Sequence, residues 1–146
     1  MRYRFIDEIT SLTLDGRHPQ IEVTKTFEAG DDAFSGPAGQ ARVPESLLLE
    51  LMAMTGGQLI FRHLGEHRLP LLLKVPECRF DRVVGPGVGL RAVAALRGAS
   101  EVADDTSVVE AATEVYAGDE RVAAAVLMYL CVSVPGVDLA AHGGGR

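Results

Sequence analysis

Hydrophobic and polar side chains alternate along residues 20–28, where Ile21, Val23 and Phe27 are separated by charged or polar residues. A period of two is typical of a β-strand with one buried face, so this segment is predicted as a strand. Residues 1–10 contain only scattered apolar side chains, and we interpret them as a short N-terminal turn or helix.

Residues 45–64 follow a different pattern, because they are rich in Leu, Met and Ala and their apolar side chains point all round a helix. Pro44 stands at the entry to this segment, where its restricted backbone suits the first turn of a helix. A helix that is apolar on every side is normally buried on every side. The pattern therefore predicts one long, wholly buried helix.

Downstream of this helix the period returns to two. Residues 71–83 are predicted as a strand in which Pro76 marks a bulge or an edge. A turn at residues 85–89 leads to a further strand, and Gly118-Asp119 lies between two more apolar-alternating segments, as in a β-hairpin. One helix and a run of antiparallel strands predict an α+β fold, with a curved antiparallel sheet wrapped around the helix.

Length and composition narrow the class of protein. The 146 residues fit one domain, which we place at residues 1–136, followed by a flexible, Gly-rich tail at residues 137–146. The net charge of −6 and the lack of a Lys/Arg cluster argue against nucleic acid as a partner. Neither a signal peptide nor a membrane span is recognisable. Two isolated cysteines, Cys78 and Cys131, predict a reduced, cytoplasmic protein.

Glu50 is the feature with the clearest chemical meaning, since it is the only charged residue between Ser46 and Phe61. At 100° per residue its helix face also carries Met54, Gly57 and Phe61. A buried carboxylate needs a partner or a function. Three interpretations stay open: an ion pair with Arg42, Arg79 or Arg82, contact with solvent at a helix edge, or a general base or nucleophile.

The run "SGPAGQARVPESLLLELMAM" resembles the central signature GHFPGxPxMPGxLxxE of the hotdog-fold 3-hydroxyacyl-acyl-carrier-protein dehydratases. Gly39, Pro44, Leu47 and Glu50 are in register with that signature. The segments "YRFIDEI", "VPECRFDRVVGPGVGLRAVAAL" and "VYAGDERVAAAVLMYLCV" are similar to other parts of the same family. The resemblance covers most of residues 3–134 and implies a single hotdog domain.

In that family two protomers form a dimer with the active sites at their interface. The resemblance implies a tunnel for an acyl chain carried on pantetheine, either of CoA or of acyl carrier protein, and no cofactor or metal. It implies that Glu50 is the catalytic carboxylate and that a backbone N–H at the helix start polarises the thioester carbonyl. The positions expected to bind substrate are Gly36, Pro37, Glu45, Met54 and Phe80.

The chain departs from the family at the catalytic histidine. Gly36 or Pro37 stands at the position of that histidine, and no His occurs between His18 and His63. His63 and His67 have the spacing of a metal pair, but no third ligand lies near them in the sequence. Glu45 replaces the Gly that follows "MP" in the family signature.

The family's catalytic pair of histidine and carboxylate is thus incomplete in this chain, and three hypotheses about function follow. The first is a non-catalytic acyl-thioester-binding protein of fatty-acid or polyketide-type metabolism, either a homo-oligomer or the heterodimer partner of a His-bearing homologue. The second is a hotdog acyl thioesterase in which Glu50 is the base or nucleophile. The third is a dehydratase with a displaced base.

Overall fold

The computed structural model describes residues 5–28 and 42–134, which form six strands and one long helix. In chain order the elements are β1 (Glu8–Thr13), β2 (Gln20–Thr26), α1 (Glu45–His63), β3 (Leu69–Phe80), β4 (Gly89–Ala103), β5 (Thr106–Ala117) and β6 (Glu120–Val132).

The six strands form one antiparallel sheet with the order β1-β2-β4-β5-β6-β3. The helix α1 packs against one face of this sheet and contacts five of its strands, β2 to β6. This arrangement confirms the predicted α+β class and the sheet curved around a single helix. Strand β3 follows the helix in the chain but pairs with β6 at the edge of the sheet, where it also contacts the helix.

The core lies between the helix and the concave face of the sheet. In β5 and β6 buried and partly exposed residues alternate along most of the strand, as the period of two predicts. The large side chains that the fold buries completely come from both layers: Phe27, Ile21, Leu48, Leu51, Met52, Leu59, Ile60, Leu90, Leu127, Val23, Val109 and Val115.

The prediction of a turn or helix at residues 1–10 is wrong for residues 8–10, which belong to β1. This strand is held by pairing with β2, where Glu8 lies opposite Thr24 and Thr13 opposite Gln20. Just before it, the Asp7 carboxylate accepts a hydrogen bond from the Thr26 backbone N–H at 2.8 Å. Since these hydrogen bonds join residues that are distant in the chain, local patterning could not reveal them.

The prediction of a helix buried on all sides also needs correction. Leu48, Leu51, Leu59 and Ile60 are fully buried, but Glu50 is exposed and Met54 is 41% exposed. One face of α1 is therefore open in the isolated chain. Among the described residues no helix has the length and hydropathy that crossing a membrane requires.

Strand β3 is an edge strand, and its pairing with β6 slips between Lys74 and Glu77. Pro76 lies in this irregular stretch, so the proline marks both a bulge and an edge, as the sequence predicted. Most of β3 is exposed, including four leucines at positions 69, 71, 72 and 73.

Candidate functional site

A groove of about 400 Å³ runs between the open face of α1 and the start of β3. One wall consists of helix residues spaced three or four apart, so that they share a face. The groove is lined by Glu50, Ala53, Met54, Gly57, Gln58, Phe61, Leu69, Pro70, Leu72 and Tyr129. Glu50, Met54, Gly57 and Phe61 are the four residues that 100° spacing assigned to one face.

The floor of the groove is built by Tyr129, which comes from β6. Its ring is buried, with only 2% of the residue exposed, and its hydroxyl donates a hydrogen bond to the Ala53 carbonyl at 2.6 Å. A Cβ atom on Gly56 would lie 2.6 Å from the same hydroxyl oxygen, far inside van der Waals contact. Gly56 is therefore required for the tyrosine to reach the helix backbone.

The Tyr129 hydroxyl bonds to the backbone in the middle of α1. It donates to the Ala53 carbonyl, which in a regular helix pairs with the N–H of Gly57, four residues on. Burial raises the pKa of Tyr129 above its usual range, nearby Cys131 adds to this, and the neighbouring Gly57 N–H opposes it. The phenol therefore stays protonated and acts as a donor.

Gly57 differs from its neighbour, because no atom of the fold excludes a side chain there. A Cβ atom at this position would lie 3.8 Å from the Tyr129 ring and 3.9 Å from Pro70, which is ordinary contact. Glycine inside a helix costs about 1 kcal/mol relative to alanine. The absent side chain leaves open space in the groove between Tyr129 and Pro70.

Glu50 lies at the rim of the groove with its side chain exposed to solvent. Two of the arginines considered as its partners contact other carboxylates: Arg79 lies 3.6 Å from Asp81, and Arg82 lies 2.9 Å from Glu120. Within residues 5–28 and 42–134, no ion pair joins Glu50 to an arginine. An accessible carboxylate beside an apolar groove can take a proton from water or attack an electrophile.

A second cavity of about 570 Å³ lies at the start of α1 and shares no lining residue with the groove. It is lined by Arg42, Val43, Pro44, Glu45, Leu48, Phe80, Asp81, Arg82 and Val83. Of the residues predicted to bind substrate, Met54 is thus beside Glu50, whereas Glu45 and Phe80 are in the second cavity. Gly36 and Pro37 lie outside the described residues.

The histidines and cysteines of the described chain do not supply a second catalytic group to the groove. His63 is in the last turn of α1, and thirteen residues at 1.5 Å each place it about 20 Å along the axis from Glu50. His67 is exposed in the loop that follows. Partial desolvation and nearby Glu45 raise the pKa of the exposed Cys78 thiol, and burial raises the pKa of Cys131, so neither thiol is an activated nucleophile.

Six lining residues were not predicted from the sequence: Ala53, Gln58, Leu69, Pro70, Leu72 and Tyr129. One signal was available in the Gly56-Gly57 pair, since two adjacent glycines inside a long helix indicate a close approach or an open space. Ala53 and Gln58 lie on α1 beside the predicted face, whereas Leu69, Pro70, Leu72 and Tyr129 could not be found from local patterning, because they reach the groove only through the pairing of β3 with β6.

No protein-family model matches the sequence, and no curated protein matches it. Solved structures do match. The protein yhdA of Lactococcus lactis, provisionally assigned as a thioesterase, has a TM-score of 0.67 at 11% identity, over 88% of this chain and 94% of that one. A hypothetical thioesterase from Streptococcus pneumoniae, solved with coenzyme A, has a TM-score of 0.61 at 15% identity, over 86% of this chain and 88% of that one.

A thioesterase from Haemophilus influenzae is similar over 85% of this chain and 78% of its own, with a TM-score of 0.59 at 15% identity. At such low sequence identities, the similarity shows only that the backbones follow the same path. Together with the antiparallel sheet that encloses one helix, it shows that this chain has the hotdog fold.

Proposed function

We propose that this protein hydrolyses acyl thioesters of coenzyme A, with Glu50 as the general base or the nucleophile. The observation that carries the proposal is that Glu50 is the one carboxylate among the residues lining an otherwise largely apolar groove. The groove accommodates the acyl group, and the carboxylate stands at its solvent-accessible rim. A cytoplasmic location belongs to the same proposal.

The chemistry needs one carboxylate and a hydrogen-bond donor. With Glu50 as base, the carboxylate removes a proton from water while the oxygen attacks the thioester carbonyl. The tetrahedral oxyanion then collapses, the C–S bond breaks, and the thiolate leaves and takes up the proton. The donors that we propose for the oxyanion are backbone N–H groups in the first turn of α1, one turn before Glu50.

Two observations favour hydrolysis over dehydration. Solved structures that share the fold include thioesterases, one of them solved with coenzyme A. A dehydratase dyad, in contrast, needs a histidine opposite the carboxylate, and the described part of the chain has none at the groove. Residues 29–41 contain no histidine either. The test below also measures dehydration and binding without turnover, which are the two alternatives to hydrolysis.

We also propose that the protein is a homodimer joined through β3. The edge strand at the other end of the sheet, β1, is six residues long and mostly polar, whereas β3 has twelve residues and four exposed leucines. A long apolar edge promotes pairing with another strand. Because β3 forms one wall of the groove, a second copy seated there would close the open side of the site.

The proposal is tested by the Glu50→Gln variant, assayed on acyl-CoA esters of increasing length by chromatography of the free CoA released. We expect hydrolysis to fall by about 10²–10⁴-fold, the usual effect of removing a general base. Glu8→Gln is the matched control, since Glu8 is exposed on β1 at the opposite edge of the sheet.

Equal rates in the Glu50→Gln variant and the wild type would refute the assigned role of the carboxylate. Formation of an enoyl thioester from 3-hydroxyacyl-CoA, measured in the same samples, would identify a dehydratase instead. Tight binding of acyl-CoA with no turnover of either kind would identify the non-catalytic alternative. Repeating the assay with acyl-carrier-protein substrates decides which carrier is preferred.

A further inference from the structure

We infer that Gly57 determines how long an acyl chain the groove accepts. This inference rests on the proposed function, because it takes the groove as the place of the acyl group. It concerns binding of the chain rather than cleavage of the thioester, so the two can fail separately.

Packing within the fold does not explain why residue 57 is a glycine. Gly56 is required because its Cβ would lie 2.6 Å from the Tyr129 hydroxyl. At Gly57 a Cβ would have only ordinary contacts, 3.8 Å to Tyr129 and 3.9 Å to Pro70. Alanine would fit there and would favour the helix. What glycine provides at this position is open space.

The open space at Gly57 lies between Glu50 and Phe61 along the groove. Gly57 lies seven residues after Glu50 on the same helix face, about 10 Å further along the axis. Phe61 lies one turn beyond it and also lines the groove. A chain that extends from a thioester beside Glu50 toward Phe61 must pass over Gly57, where any side chain would project between Tyr129 and Pro70.

The chemistry of the groove lining indicates which arm of the substrate the groove binds. Beyond Glu50, the groove walls are apolar side chains and the Tyr129 ring, and Gln58 is the only side chain with an amide. The pantetheine arm carries two amide groups, which lose free energy when buried without partners. A hydrocarbon chain needs no such partners. The groove therefore suits the acyl arm of the substrate and not the pantetheine arm.

The test uses S-alkyl-CoA thioethers, which cannot be hydrolysed, and measures their dissociation constants by calorimetry for alkyl chains of increasing length. In the wild type each added methylene should tighten binding about fourfold until the chain fills the groove. In Gly57→Leu the improvement should stop at a chain several methylenes shorter, with short chains bound as in the wild type. In Gly57→Ala the improvement should stop at a chain length between those of the other two proteins, and this variant should melt roughly 2–4 °C higher than the wild type.

Gly98→Leu is the control for adding the same side chain, because no atom lies within 4 Å of the Cβ position at Gly98 on β4. It should leave the length series unchanged. The inference is overturned if both Gly57 variants keep the wild-type length series, if binding is weakened equally at every length, or if the wild type binds no thioether. If the Gly57 variants are monomers by light scattering while the wild type is a dimer, the inference is also overturned, because Gly57 would then pack against a second copy.

The two proposals are distinguished by comparing binding with turnover. A length series that responds to Gly57 variants in a protein that releases no CoA would support the inference and refute the hydrolase. Hydrolysis that depends on Glu50 but has the same chain-length profile in the Gly57 variants would support the hydrolase and refute the inference.

Discussion

At the scale of single residues, Tyr129 joins the sheet to the helix through one hydroxyl group. Its 2.6 Å hydrogen bond to the Ala53 carbonyl is made between residues 76 positions apart in the chain. The ring forms the floor of the groove, and the hydroxyl holds the helix at the point where two glycines leave the backbone accessible. Stability and the shape of the site therefore depend on the same side chain.

We expect Tyr129→Phe to lower the free energy of unfolding by about 1 kcal/mol at neutral pH, the usual net value of one hydrogen bond. The loss stays modest because the Ala53 carbonyl still has the Gly57 N–H, the partner that a regular helix provides. Urea unfolding of both proteins measures the difference. A loss above several kcal/mol would show that the ring itself, and not only its hydroxyl, has been displaced.

The same pair of proteins gives a prediction for pH. In an unfolded chain Tyr ionises near pH ~10, whereas burial raises the pKa of Tyr129 in the folded state. The stability that comes from keeping the phenol protonated is complete below that unfolded value and is lost as the pH rises above it. The stability advantage of the wild type over Tyr129→Phe should therefore shrink above pH ~10. An advantage that stays constant with pH would contradict this account.

At the scale of the elements, α1 combines a buried face with an open one. Eight of its residues are buried, and the stripe that lines the groove shares only Phe61 with them. The glycine pair serves both faces, since Gly56 admits Tyr129 and Gly57 leaves space in the groove.

Gly56→Ala should destabilise the protein by about 1–2 kcal/mol, although alanine is the better helix former. The new Cβ would force the Tyr129 hydroxyl away from the helix. In a Tyr129→Phe background the loss should be about 1 kcal/mol smaller, because the atom at 2.6 Å is gone and the next one lies at 3.3 Å. Denaturant unfolding of the four proteins measures this coupling, and additive losses would refute the proposed contact.

At the scale of the whole molecule, the two edges of the sheet differ in kind. Strand β1, at one edge, is short and mostly polar, whereas β3, at the other edge, has exposed leucines beside the groove. Pairing of two β3 strands would cover this apolar surface and would place each groove next to the second copy. The proposed dimer therefore bears directly on the proposed site.

Leu73→Glu tests the proposed dimer, since Leu73 is 52% exposed on β3 in the isolated chain. A charge at the centre of the interface should halve the mass measured by light scattering and lower hydrolysis. Leu12→Glu is the control, because Leu12 is 37% exposed on β1 at the opposite edge. A wild type that is monomeric, or a dimer that survives Leu73→Glu, would refute the β3 interface.

The sequence alone determined the features that depend on neighbouring residues. The helix predicted at residues 45–64 matches α1, and the strand predicted at residues 20–28 contains β2. The hairpin at Gly118-Asp119 and the shared face of Glu50 and Gly57 likewise follow from turn chemistry and periodicity. From these, the α+β class and a sheet around one helix could be predicted, because each element type has its own spacing of apolar side chains. The specific dehydratase family was not established by the structure, whereas the hotdog fold was.

Tertiary structure alone decided which distant residues meet. It paired β1 with β2, brought Tyr129 against Ala53, left one face of α1 open, and separated Glu45 and Phe80 from Glu50. These contacts depend on strand order and register, and many arrangements of the same strands satisfy the same local pattern. The position of Glu50 on its helix could thus be derived from the sequence, but the groove beside it exists only because β3 returns to pair with β6.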